Sequence, residues 1–153
     1  MKKLNIIFLI LFAFLYGCGF ESIHQKKNVD FSIIKFETKG EKKISKYLTL
    51  YLSGLQKNQN ANRSYEIVTN STINKKITSK NSRGEAQNHS IEVIVEVTVK
   101  QNSKIIKVKN FVEKNDYASN SNKFELKQYE KLIIDSLSEK IIDKINFFIS
   151  SIE

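Results

Sequence analysis

Apolar side chains recur along this chain in two periods, every second residue or every third and fourth, and the two periods alternate in a definite order. Between Val29 and Glu37, the density of Phe31, Ile33, Ile34 and Phe36 predicts a strand buried on both faces. Thr38 and Glu41 then stand at the spacing of a capping box, which predicts a helix from about Lys39 to Gln56. Ile44, Tyr47, Leu48, Tyr51, Leu52 and Leu55 form its apolar stripe, and Gly54 weakens its last turn. After the polar break Asn58 to Asn62, Tyr65, Ile67, Thr69, Ser71, Ile73 and Ile77 share odd positions. They predict a long, half-exposed strand, followed by a loop over Thr78 to Asn88.

The clearest alternation comes next. Ile91, Val93, Val95, Val97 and Val99 point one way; Glu92, Glu96, Thr98 and Lys100 point the other. Gln101-Asn102-Ser103 reads as a tight turn into a returning strand, Lys104 to Glu113, with Ile106, Val108 and Val112 on one face. Asn115 to Ser121 reads as a loop. Asn122 and Glu125 then open a helix spanning about Lys123 to Ser150. Its stripe is Leu126, Tyr129, Ile133, Leu137, Ile141, Ile145 and Phe148, widened by Leu132, Ile134 and Ile142. A helix of this length needs something to cover. The expected fold is therefore α+β, a two-layer sandwich of two helices on a four-stranded sheet in the order β-α-β-β-β-α.

The first residues obey neither period. Met1-Lys2-Lys3 gives a positive start, and Ile6 to Tyr16 is an uncharged apolar run of eleven residues. That suits the apolar core of a secretion signal and falls short of the roughly 20 residues a spanning helix needs. Leu15-Tyr16-Gly17-Cys18 closes the run with the chain's single cysteine. This resembles the lipobox read by lipoprotein signal peptidase, and the resemblance implies cleavage before Cys18, an S-diacylglyceryl thioether and an acylated amine. A small residue before the cysteine gives a protease access, and a thiol can form a stable thioether to lipid. The alternatives are a general secretion signal with an incidental cysteine, or a short anchor helix. Tyr16 departs from the smaller residue commoner at that place.

The expected division is a signal peptide over 1–17, a lipidated tether over 18–28, and one α+β domain over 29–153. Removing residues 1–17 from 153 leaves 136, enough for one core, and lowers the formal charge from +9 to +7. Several acyl chains on Cys18 would hold the protein on a membrane, since each buried methylene contributes about 0.8 kcal/mol. Gly19, in place of an Asp, implies sorting to the outer membrane. A lone cysteine permits no disulfide within the chain.

Positive charge is nearly all lysine, with Arg63 and Arg83 the two arginines, and there is no Pro or Trp. An AT-rich coding bias toward Lys, Asn and Ile accounts for this. A basic chain can suggest nucleic acid, but a lipidated envelope protein would meet an anionic lipid or protein surface instead. No G-x-S-x-G, H-E-x-x-H or P-loop pattern occurs, and His24 and His89 are far apart. The sequence thus predicts no enzyme, no catalytic residues, no metal and no cofactor.

In its order of elements the chain resembles the LptE family, the small outer-membrane lipoprotein of lipopolysaccharide assembly. Cys18-Gly19-Phe20 matches the family's mature start, though Ser22 and His24 replace its usual Pro and aromatic. Ser82-Arg83-Gly84 matches the Arg- and Gly-bearing loop before the strongest strand, and Phe111, Tyr117, Ser119 and Lys123 onward match the passage to the long last helix. The resemblance implies a plug within a large LptD-like outer-membrane β-barrel, assisting both assembly of that barrel and lipopolysaccharide insertion at the surface. Polar strand faces such as Glu92, Glu96, Thr98 and Lys100 would serve as contact surfaces, or simply as a solvated sheet face. Lys75, Lys76, Lys80 and Arg83 are the candidate contacts to lipopolysaccharide phosphate, Arg83 foremost because guanidinium grips phosphate in two directions. The alternatives are solvating charges at these positions, and an accessory or adaptor lipoprotein of another envelope transport complex.

Overall fold

The computed structural model describes residues 31–56 and 61–152. Six elements follow in chain order: β1 (Phe31–Gly40), α1 (Lys42–Leu55), β2 (Arg63–Lys80), β3 (Ala86–Gln101), β4 (Lys104–Ala118) and α2 (Lys123–Ser150). The order is the expected β-α-β-β-β-α, and the four strands form one sheet in the order β1-β2-β3-β4. The sheet is mixed: β1 pairs with β2 in parallel, while β2–β3 and β3–β4 are antiparallel. Parallel neighbours need a crossover rather than a hairpin, and α1 is that crossover. Lys104 opposes Gln101 around a two-residue turn in which Asn102 and Ser103 have φ of 50° and 63°. Positive φ at both centres matches the strands' right-handed twist.

Both helices lie on one face. Under them Ile91, Val93, Val95, Val97 and Val99 of β3 are fully buried, together with Phe31, Ile33, Tyr65 and Ile67. Ile44, Leu48 and Leu52 from α1 close the core, with Ile133, Leu137, Ile141, Ile145 and Ile149 from α2. Asp135 ties the helices together, accepting from Tyr47 Oη at 2.8 Å and pairing with Lys43 Nζ at 2.6 Å. At the start of α2, Asn122 Oδ1 accepts from the backbone N–H of Phe124 and Glu125, so the expected cap forms.

Several expectations are corrected. Thr38 and Glu41 do not make a capping box: Thr38 is still in β1 opposite Thr69, its hydroxyl meets Thr49, and Glu41 gives no side-chain cap. The helix accordingly begins at Lys42. β1 buries one face only, since Ile34, at an irregularity between Ile33 and Lys35, is 60 % exposed on an edge strand. In β4 the aliphatic face is the open one. Phe111 and Tyr117 reach the helices, while Val108 and Val112, 53 % and 48 % exposed, lie across from Thr98 and Ile94 on the open face, and Ile106 is exposed too. Register with β3 sets this: Phe111 and Tyr117 pair with Val95 and His89 on the covered face, whereas Val108 and Val112 pair with residues of the open one. On α2, Leu132 faces solvent, about 100° around the helix from buried Ile133, and Tyr129 is half-exposed.

Candidate functional site

The expected loop over Thr78 to Asn88 is mostly strand. Lys80 still pairs with Ala86, so β2 and β3 run on as an arm, flanked by β4 as far as Asn88–Ala118 and two-stranded only at its tip, which a short turn over Asn81–Glu85 closes. The polar run here lacks apolar periodicity because nothing packs on it, and ladder hydrogen bonds alone keep it extended. Asn81 builds the turn. Its Oδ1 accepts from the N–H of Arg83 at 3.0 Å and of Glu85 at 2.9 Å, and its amide donates to Glu85 Oε2 at 2.7 Å. Gly84 takes φ +81°, which a side chain would resist. Arg83 therefore stands at the apex of an ordered turn, not in a slack loop.

The four cations singled out in the sequence are not one cluster. Lys75 opposes Ile91 and so lies on the helix-covered face, where its Nζ pairs with Glu130 Oε2 at 2.6 Å. Lys76 opposes Ser90 on the other face, with Asp116 and Lys114 nearby. Lys80 and Arg83 are exposed toward the tip. Alternation along a strand separates adjacent lysines by the thickness of the sheet. The arm thus carries Lys76 on the open face and Lys80 with Arg83 at its end, while Lys75 is neutralised. Cys18, the lipid-attachment candidate, lies outside the described residues, as does His24.

Sequence reasoning missed the cluster at the root of this arm. Tyr117 Oη donates to Glu130 Oε1 at 2.6 Å, so one carboxylate receives both the phenol and Lys75. His89 stacks on Tyr117 with ring centroids 5.4 Å apart, and Tyr129 meets Tyr117 edge-on at 6.1 Å. Burial, then the Glu130 carboxylate, hold the Tyr117 hydroxyl well above its ordinary range. Burial also pushes Glu130 upward, but the hydrogen bonds from Lys75 and Tyr117 outweigh it and its acidity increases. Asp135 behaves alike: burial opposes ionisation, and Lys43 and Tyr47 more than offset it. These residues are scattered over β2, β3, β4 and α2, so only the fold brings them together. Among the described residues no three His, Cys, Asp or Glu side chains converge as metal ligands would.

Depressed carboxylate pKa values fix the sign of an acid effect. Glu130 and Asp135 stabilise the fold fully above their unfolded values, about 4, and that contribution is lost as pH falls through their lower folded values. The thermal midpoint should drop between about pH 5 and about pH 3, and the drop should be smaller in Glu130→Gln/Asp135→Asn. An equal drop in the double variant would show that other groups control acid unfolding.

The second surface is the sheet face left uncovered. Val68, Thr72, Ile94, Thr98, Val108 and Val112 form two apolar and threonine rows across β2, β3 and β4, Thr72–Ile94–Val112 and Val68–Thr98–Val108. The polar row Asn70–Glu96–Asn110 lies between them, and Glu92, bonded by Asn74 at 3.3 Å, and Lys100 lie on either side. The expected polar rows are present, and they alternate with apolar ones.

No protein-family model and no curated protein matches the chain. Solved structures do. Rare lipoprotein B from Shewanella oneidensis superposes with a TM-score of 0.60 at 12% identity, covering 76% of this chain and 94% of that one. A minor lipoprotein from Acinetobacter baumannii gives 0.56 at 14%, covering 76% and 90%. Lipoprotein B from Nitrosomonas europaea gives 0.53 at 9%, covering 82% and 88%. At these identities the likeness establishes the fold. It is one that bacterial lipoproteins use.

Proposed function

We propose that the mature chain is an outer-membrane lipoprotein, acylated at Cys18, that sits within the large β-barrel of a lipopolysaccharide translocon. There it assists assembly of the barrel and passage of lipopolysaccharide to the cell surface. The observation that carries this reading is the projecting β2–β3 arm. A long hairpin, paired from Glu66–Lys100 to Lys80–Ala86 and carrying Lys80 and Arg83 at its end, suits a role deep in a lumen, where phosphate-bearing lipid passes. The adjoining sheet face, with apolar and polar rows in alternation, suits contact with a barrel wall. The lipobox resemblance and the lipoprotein fold support the anchor.

Lysine and arginine on the arm act additively and weakly in salt. Loss of a single cation should therefore change lipopolysaccharide binding little, whereas replacing Lys76, Lys80 and Arg83 together should weaken it clearly at low salt. The deciding experiment is purification of the native protein from membranes after metabolic labelling with a fatty acid. The expected result is a labelled protein in complex with a large outer-membrane barrel, with label absent from Cys18→Ala. Recovery with inner-membrane transporter subunits would instead identify an accessory lipoprotein of another envelope complex.

A further inference from the structure

The sheet has two ends, and the chain enters at one of them. Phe31 pairs with Arg63 where β1 and β2 begin, and Glu66 pairs with Lys100 just before the β3–β4 turn. The end of α2 lies there as well, since the Arg63 guanidinium donates to the carbonyl of Ile152. This end is opposite the Asn81–Glu85 turn, at a separation on the order of 50 Å along the 18 residues of β2.

This entry end has an unusual surface. Every residue from Lys104 to Asn110 is exposed, and no carboxylate among the described residues pairs with Lys100, Lys104 or Lys107. Glu66 lies opposite Lys100 across the ladder and leaves the other two uncompensated. Ile105 and Ile106 stand between Lys104 and Lys107 in β4, and Phe147 is exposed at the same end of the fold. Ile105 is 62 % exposed, Ile106 is exposed beside it, and Phe147, in the last turns of α2, is 78 % exposed while Ile145, Phe148 and Ile149 are buried. Lys109 Nζ lies over the rings of Phe111 and Phe148 at 5.3 and 5.2 Å, joining β4 to the end of α2.

We propose that this entry end is a second membrane contact, with Ile105, Ile106 and Phe147 entering the interface of an anionic bilayer while Lys100, Lys104 and Lys107 lie among its phosphates. The proposal rests on acylation of Cys18. Twelve residues separate Cys18 from Phe31, so an anchored chain would deliver this end, not the arm, to the bilayer. Tethering raises the local concentration of lipid, so weak contacts suffice. Exposed apolar tips with lysines beside Ile105 and Ile106 match the boundary of headgroups and acyl chains. A second copy of the chain fits poorly, because self-association would press Lys104 and Lys107 against their own kind. Docking would fix orientation at the mouth of the barrel: the β3–β4 turn on the headgroups beside it, the Arg83 turn directed into the lumen.

The test uses the full lipidated protein purified from membranes and carrying Ile105→Cys. With Cys18 held as a thioether, position 105 is the one thiol free to take an environment-sensitive fluorophore; Ser82→Cys serves as the far-end comparison. In vesicles of phosphatidylcholine with phosphatidylglycerol, the probe at 105 should be quenched by lipid-borne quenchers and the probe at 82 should stay aqueous. In pure phosphatidylcholine the quenching at 105 should fall sharply. Each lysine contributes about fivefold near an anionic surface, so Lys100, Lys104 and Lys107 changed together to Gln should lower the docked-to-free ratio on the order of a hundredfold at low salt. The same three changed to Arg should retain it. A probe at 105 as aqueous as that at 82, or a Gln variant that docks unchanged, overturns the proposal. Two fluorophores per chain would show Cys18 unacylated and overturn the anchor and the docking together; one fluorophore in an aqueous setting overturns docking alone.

Discussion

Gly40→Ala should destabilise the domain by about 3 kcal/mol, more than any substitution of an exposed residue. Gly40 ends β1 with φ +94°, and a Cβ built there would stand 1.9 Å from the carbonyl oxygen of Ser71 and 2.7 Å from its nitrogen. Backbone cannot step aside as a flexible side chain can. The corner is also fastened at this point: Glu41 N–H donates to Ser71 O at 3.1 Å, and Ser71 Oγ donates to Lys39 O at 3.1 Å. Opening it would detach the start of α1 from the sheet. Gly54→Ala is the comparison, since nothing lies within 4 Å of a Cβ there and the position is helical. It should stabilise by about 0.5–1 kcal/mol. Urea unfolding of both variants checks the pair, and a Gly40→Ala domain as stable as Gly54→Ala would show that the corner is not constrained.

Ile141→Asp should unfold the domain. Ile141 is 1 % exposed at the middle of α2, surrounded by core residues, so its replacement places a carboxylate where no cation or donor replaces water. The cost is about 4 kcal/mol or more, against a total stability of roughly 5–15 kcal/mol for a domain. Ser136→Asp, exposed on the same helix, should leave the fold intact. Circular dichroism separates the outcomes. A fully folded Ile141→Asp protein that merely lost a binding partner would mean that α2 is a recognition helix and not the cover of the sheet.

The sequence was most legible where one face was apolar without exception. The five aliphatics of β3 alternate with polar residues, and all five are buried. It was least legible where both faces offered candidates. In β4 the aliphatics Ile106, Val108 and Val112 outnumber Phe111 and Tyr117, yet register with β3 decides which set is buried. The tip of the arm was unreadable for a related reason: Thr78 to Lys80 is extended by pairing alone, which leaves no periodic trace. Thr38 and Glu41 had the spacing of a cap, but the strand still held Thr38 in register with Thr69. For the candidate site, the sequence reading grouped Lys75 with Lys76 although the ladder puts them on opposite faces, and the Lys75–Glu130–Tyr117–His89 grouping joins residues up to 55 positions apart. No local signal marks such a set.

Parallel pairing of β1 with β2 also dictates the sequence of events when the chain folds. β2, β3 and β4 are joined by short turns, so their ladders close small loops at little entropic cost and can form early. β1 has no such neighbour. Its ladder must await the intervening helix, and its partner edge on β2 exists only once that strand is extended. The segment nearest the anchor would thus be the last to join the domain and the first to leave it. An acylated chain newly arrived at a membrane would then present a preformed β2–β3–β4 meander with β1 and α1 still searching, and the domain would gain its final attachment to its own leash only as folding ends.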